Sequence, residues 1–303
     1  MDWLRKLLAG GDRRGGPIRP GTATLDDLAR RTERSALELR RFEPAYRAYA
    51  VPKRGGGSRT INAPDRGTRD LQRAILRRVL GAQATHPAVY GFVRGRSAVD
   101  HARRHAGAAV VLRLDIEDFF GSTSSESVER LFAPVWNSAA LEVLVRLTTL
   151  DGTLPQGAPT SPGIANRVNL RLDQRLEGFA RLHGARYSRY ADDITFSLPT
   201  DDGASVHALI RFTDQVVGEC GYRMHRRRKL HVRRTHERQV VAGLVVNGEG
   251  APRIPRERRR WLRAVEHRHR TGGVITITEM QLNGWRAYRS MVEEGDGELS
   301  GRR

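Results

Sequence analysis

The chain has 303 residues, enough for about two domains or one domain with subdomains, and its 39% hydrophobic content supports a real core rather than a disordered tail. Lys and Arg number 53 against 34 Asp and Glu, a net charge of +19 with a pI near 11.2, so the expected partner is a polyanion, with nucleic acid first. A membrane is disfavoured because no apolar run reaches the ~18 residues a span needs. The single cysteine, Cys220, excludes an internal disulfide and suits a reducing cytoplasm.

The first residues, Met1 to Ala9, are too short and too charged for a signal peptide and read as a small amphipathic helix. A Gly/Pro/Arg linker follows over 10–21. Thr24 reads as the N-cap of a helix reaching about Phe42, ended by Pro44. Tyr46 to Ile61 reads as strand, Gly-rich turn, strand. Its tip carries Lys53, Arg54 and Arg59 on mobile glycines, a suitable phosphate clamp but not a Walker loop, since no Gly-Lys-Ser/Thr leads into a helix. A helix over Thr68 to Leu80 places Leu71, Ile75 and Val79 on one face.

Val89 to Ser97 is a loop, and Ala98 to His105 a helix. His101 and His105 stand at a spacing that can hold zinc, but position 102 is Ala and no third ligand is evident. Val110 to Asp115 is an apolar strand ending in acids and aromatics. An acidic helix N-cap is the competing role here, and it suits Asp118 better than Asp115. Residues 154–163 form a rigid loop in which Ser161 caps a helix with Pro162 at its first position. That helix runs to about Leu182, with Ile164, Val168, Leu172 and Leu176 as a core stripe. Gln156 and Gly157 lie where a nucleotide could be approached closely by backbone.

The stretch Ser188 to Ser197 holds Asp192 and Asp193 between runs that alternate apolar and polar residues, a β-hairpin with carboxylates at its tip. Two like charges on one turn repel, and a divalent metal offsets that; a solvated turn is the alternative. With Asp115 presented across the sheet, three carboxylates from two non-adjacent strands make a site for two Mg²⁺ ions, the arrangement of in-line phosphoryl transfer. A helix near Val206–Cys220 and a strand over Val240–Val246 follow. Residues 223–238 and Arg253–Arg270, the latter on a helix, are strongly basic runs beside the acidic site and suggest a phosphate track.

In their order these motifs resemble a reverse transcriptase of the bacterial retron type over roughly residues 45–250. They are Pro52-Lys53 with Arg59, Leu114-Asp115 with Phe119-Phe120, Leu154-Pro155-Gln156-Gly157, Tyr190-Ala191-Asp192-Asp193, Lys229, and the Gly243 strand. The resemblance implies an α+β right-hand polymerase, with an antiparallel palm sheet flanked by helices. Fingers would span 22–90 and 124–152, the palm 91–123 and 153–247, and a short basic thumb 248–303. It implies Asp115 and Asp192 as principal ligands of two Mg²⁺ ions (Mn²⁺ substituting), Asp193 in support and the Ile116 carbonyl joining them. Phe120 would be the aromatic gate against a 2′-OH, Lys53 and Arg59 would grip the triphosphate, Gln156 would line the nucleotide pocket, and Lys229 would protonate the pyrophosphate.

Retron enzymes carry Asn-Ala-x-x-His and Val-Thr-Gly elements linked to recognising their own RNA. Here the positions read His101-Ala102-Arg103-Arg104-His105 and Val241-Ala242-Gly243, one residue different in each. The implied partners are dNTPs, a structured non-coding RNA as template and primer, the RNA–DNA hybrid product and a separate effector protein, with no membrane. The implied setting is a cytoplasmic role in phage defence, and the expected short thumb would leave no room for an RNase H, maturase or endonuclease domain. A related bacterial reverse transcriptase, of group II intron-like, diversity-generating or abortive-infection type, is the nearest rival. A catalytically silent RNA-binding scaffold is another, against which the intact carboxylates argue.

Overall fold

The computed structural model describes residues 21–52, 56–81, 85–225, 230–248 and 250–293. The N-terminal helix and the linker up to residue 20 fall outside these residues. The chain opens on helices α1 (Leu25–Thr32) and α2 (Ala36–Arg41), where the sequence suggests one helix. The break has a local cause. Thr24 caps α1 in a capping box with Asp27, but Ser35 makes a second box with Glu38 and Glu33 turns left-handed between them. Two sets of satisfied N-terminal donors replace one continuous ladder.

The basic hairpin follows as expected, β1 (Tyr46–Pro52) paired antiparallel with β2 (Ser58–Pro64). Helix α3 (Arg66–Ile75), capped by Asp65 rather than starting at Thr68, ends in a π turn over Leu76–Leu80. Then come α4 (Ala98–Arg104), β3 (Val110–Asp115), α5 (Ser125–Phe132) and α6 (Ser138–Thr148). Ser124 caps α5, so Asp118 is not a helix cap. It sits six residues upstream in a left-handed turn whose carbonyl accepts from Ser122.

Helices α7 (Ser161–Val168) and α8 (Leu170–Leu182) divide the long helix expected here. Asn169 is the reason: its Nδ2 donates back to the Ala165 carbonyl and to the Tyr222 hydroxyl, a side-chain competition that bends helices. Thr160, not Ser161, occupies the cap position, with Pro162 in the first turn. Strands β4 (Arg186–Tyr190) and β5 (Asp193–Leu198), helix α9 (Gly203–Glu219) and β6 (His231–Arg234) lead to β7 (Val240–Val241) and β8 (Leu244–Val245). The expected single strand over Val240–Val246 is thus a tight hairpin. Ala242 and Gly243 both have positive φ, the signature of a two-residue primed turn. Helices α10 (Arg256–Arg270) and α11 (Glu279–Glu293) close the chain.

The centre is a four-stranded antiparallel sheet in the order β4-β5-β3-β6. One face, with Leu112, Leu114, Ile194 and Phe196, packs on α7–α9 through Leu172, Leu176, Leu209 and Val216. The stripe of Ile164, Leu172 and Leu176 is buried as the sequence suggests, and Val168 packs at its margin. On the opposite face Val111 joins Val99 and Ala102 of α4, the β7–β8 hairpin and Val292 of α11 in a second cluster. A third, around Leu262, Val265 and Leu282, joins α10 to α11. The sheet is therefore covered on both sides, and its chemistry is confined to strand ends.

Candidate active site

Asp115 is the last residue of β3, and β3 lies directly beside β5 with Asp115 opposite Asp193. Opposed antiparallel residues have Cβ atoms about 5 Å apart. The join continues past the strand end, where the Ile116 N–H donates to the Asp192 carbonyl at 3.0 Å. The β4–β5 turn is Ala191-Asp192, with Ala191 left-handed at φ 57°. The hairpin and the remote aspartate thus meet as the sequence suggests, although the two strands are neighbours in the sheet.

Asp193 is charge-paired. Arg113, two residues before Asp115 on the same strand face, donates to its Oδ1 at 3.1 Å and also reaches the Val240 carbonyl at 3.4 Å. Among the described residues no group of three or more His, Cys, Asp and Glu side chains gathers to hold a metal ion. Two carboxylates at adjoining strand ends still fit Mg²⁺, which binds through one or two carboxylates and takes its remaining ligands from substrate phosphates and water. Asp115 and Asp192 would hold it, beside the Ile116 backbone, with Asp193 balanced by Arg113.

Phe120 sits half-buried near this edge, its ring 5.4 Å from Phe119 and 6.1 Å from exposed Phe92. The Gln156–Gly157 loop docks on the basic hairpin, with the Gln156 carbonyl accepting from Asn62 N–H at 2.8 Å. Arg59 lies three residues earlier on that strand, exposed. Gly157 has φ +124°, and a Cβ there would lie 2.8 Å from the Asn62 carbonyl. The Gly157 backbone thus packs closely on strand β2. Lys53, at the hairpin tip, and Lys229 lie outside the described residues. The backbone at His225 runs beside the site, since its N–H donates to the Asp115 carbonyl at 2.8 Å.

Behind the hairpin lies a buried ion pair that the sequence reading missed. Arg189 is fully buried and grips both oxygens of Asp173, at 2.7 and 2.8 Å. Its remaining nitrogen donates to Asn166 and, at 2.9 Å, to the Ala191 carbonyl in the hairpin turn. Tyr187 donates to the same aspartate at 2.6 Å. An arginine inside an alternating strand with an aspartate on a helical core stripe was the available signal.

The His101–His105 pair is not a metal site. Both rings are buried and bonded to Ser188 and Ser197 on the two arms of the hairpin. Burial first, then Arg113 and Arg104, pushes His101 down to about 3. Burial first, then His101, Arg104 and Arg186, holds His105 well below its ordinary value. The folded rings are neutral, whereas the unfolded chain takes up protons near pH ~6.5, so the unfolded state binds more protons below that pH and stability rises with pH. The contribution is complete above about pH 6.5 and falls on acidification by about 1.4 kcal/mol per pH unit and ring. Denaturant titrations between about pH 7 and 5 should show this acid limb, made shallower by His101→Phe. An unchanged slope in that variant would contradict it.

A sheet of this order, with one aspartate at the end of β3 and a second in the β4–β5 turn, is the palm of a right-hand polymerase fold. A family model described as reverse transcriptase (RNA-dependent DNA polymerase) matches residues 51–233. Retron Mx65 reverse transcriptase from Myxococcus xanthus is 37% identical over 279 residues, covering 85% of this chain and 64% of the relative. Retron Mx162 reverse transcriptase from the same organism is 35% identical, covering 83% and 59%. Retron Ec86 reverse transcriptase from Escherichia coli is 31% identical, covering 90% and 86%. A solved telomerase from Candida albicans, in complex with a TWJ fragment of telomeric RNA, superposes with a TM-score of 0.50 at 12% identity, covering 70% of this chain and 46% of that one. This last likeness is one of fold. The chain belongs to the reverse transcriptases, and among them to the bacterial retron type. It spans 59% and 64% of the length of the two Myxococcus relatives.

Proposed function

We propose that this chain is an RNA-directed DNA polymerase that copies part of its own structured non-coding RNA into DNA. The observation that carries this reading is the register that sets Asp115 against the Asp192–Asp193 turn within a sheet of the reverse transcriptase family. Bound Mg²⁺ would supply Lewis acidity at the primer 3′-OH and neutralise the triphosphate. Asp115 and Asp192 would hold it, fixed by the backbone bond between Ile116 and Asp192. Arg59 on β2, with Lys53, would orient the triphosphate. The Gln156 loop, tied to β2, would line the nucleotide pocket, and Lys229 Nζ would protonate the departing pyrophosphate, which only a titratable cation can do.

Phe120 would reject a 2′-hydroxyl by steric contact. Phe120→Ala is expected to raise rNTP incorporation relative to dNTP by about tenfold or more, the range a single pocket contact supplies. Primer extension with each nucleotide set reads this, and an unchanged ratio would remove Phe120 from the gate.

The finer reading is a DNA joined to its RNA through a 2′-hydroxyl primer, made in the cytoplasm and acting with a separate effector in phage defence. It is supported by the retron relatives and by a net charge of +19. Among the described residues no helix is long and apolar enough to cross a membrane. Sequencing nucleic acid that copurifies with the protein should reveal a branched RNA–DNA. Only unbranched cellular RNA in that fraction would favour a different lineage of reverse transcriptase.

A further inference from the structure

The His101-Ala102-Arg103-Arg104-His105 element falls where a family motif is linked to RNA recognition, yet both of its imidazoles face inward. His101 is 1% and His105 0% exposed. His101 Nε2 lies 2.7 Å from Ser188 Oγ, His105 Nε2 lies 2.5 Å from the same oxygen, and His105 Nδ1 lies 2.8 Å from Ser197 Oγ. Ser188 is on β4 and Ser197 on β5, so one helix holds both arms of the hairpin that presents Asp192.

The donors can be assigned by counting. Ser188 has one proton and two ring partners, so it donates to one and accepts from the other. His101 Nδ1 is buried without a partner. An orphaned buried N–H is rarer and costlier than an orphaned acceptor, so His101 carries its proton on Nε2. The chain then runs His101 Nε2–H to Ser188, Ser188 O–H to His105 Nε2, and His105 Nδ1–H to Ser197. Each member has one orientation, and the hydrogen bonds point from helix α4 through β4 to β5.

A second contact extends this to the turn itself. His101 stacks with two tyrosine rings, 5.4 Å from Tyr90 and 5.6 Å from Tyr190, at interplanar angles of 29° and 23°. Tyr190 is two residues before Asp192. Arg96 lies 5.1 Å over the ring of Tyr90. Gly91 packs so closely on the turn that a Cβ would sit 2.5 Å from the Ala191 nitrogen.

We infer that His101 and His105 are positioning residues for the catalytic hairpin, fixing Asp192 through Ser188, Ser197 and the ring of Tyr190, rather than contacts for RNA. This rests on the polymerase reading above. A displacement of about 1 Å at reacting groups costs up to ~100-fold in rate, so a loosened hairpin acts on turnover and not on template affinity.

The test is a pair of measurements on the full chain, with an RNA template annealed to a DNA primer as the probe. His101→Phe keeps a ring in the stack and removes the bond to Ser188. It should lower kcat by about tenfold at a fixed interval below its own Tm, with the dNTP KM and the template Kd within about twofold of wild type. His101→Gln, which can return a donor to Ser188, should recover part of the loss. A tenfold weaker template Kd with kcat retained would overturn the inference and return the element to RNA recognition. A kcat unchanged in a folded His101→Phe would overturn it as well. Should that variant fail to fold, Ser197→Ala, which removes only the last bond of the chain, is expected to lower kcat about threefold with unchanged template Kd, and no change there counts against the inference. An inactive wild-type protein would instead refute the polymerase reading itself.

Discussion

Asp192→Asn is expected to reduce Mg²⁺-dependent DNA synthesis on an RNA template by three or more orders of magnitude, about 4 kcal/mol of transition-state stabilisation. Asn keeps the size of the side chain and removes its charge. The backbone around it does not depend on that charge: the Ile116 N–H bonds the residue-192 carbonyl, and the β4–β5 register is set by main-chain pairing. Folding and template binding should therefore persist while turnover vanishes. Primer extension beside a binding assay and a melting curve separates the three quantities. Undiminished synthesis in the variant would remove Asp192 from the site. Asp115→Asn carries the same expectation, since its carboxylate ends the adjoining strand.

The largest expected effect on stability lies behind the site. Asp173→Ala leaves the Arg189 guanidinium fully buried without its counter-charge. Breaking such a pair from one side costs about 3–5 kcal/mol. For a chain of this size that is a fall in Tm of about 5–8 °C. The Tyr187 hydroxyl loses its acceptor too. Replacing both charges, as Asp173→Leu with Arg189→Met, should recover much of the stability, because an apolar pair of similar volume is often no worse than a buried ion pair. Activity should not return with it. The Ala191 carbonyl, which accepts from Arg189 at 2.9 Å, would lose its donor in the turn that presents Asp192. An Asp173→Ala protein melting within about 2 °C of wild type would show the pair to be energetically idle.

These two experiments separate two layers of one design. The carboxylates stand at strand ends, where the covered faces of the sheet give way to open edge. Behind them, a charged pair on one side of the hairpin holds β4 and its turn, and an uncharged His–Ser chain on the other holds β4 and β5. Both supports use buried polar groups, which are costly unless satisfied and directional when they are. That direction is what an apolar core does not supply.

The sequence by itself determined the local elements that carry chemistry. Alternation around Asp192 and Asp193 marked a hairpin, and the apolar run before Asp115 marked a strand ending in an acid, because side chains alternate between faces of a strand. The glycines of the basic turn marked a second hairpin, and the order of these motifs pointed to the family. The tertiary structure alone decided what lies next to what. Periodicity says which residues share a face but not which strand is the neighbour, so the pairing of Asp115 with Asp193 across 77 intervening positions needed the sheet. Likewise His101 and His105 read locally as a helical pair that could ligate metal, and only packing on β4 and β5 gives them serine partners. The close packing of Gly157 on the Asn62 backbone is likewise visible only in the fold. That Arg113, on a strand remote in sequence, balances Asp193 also had to wait for the fold.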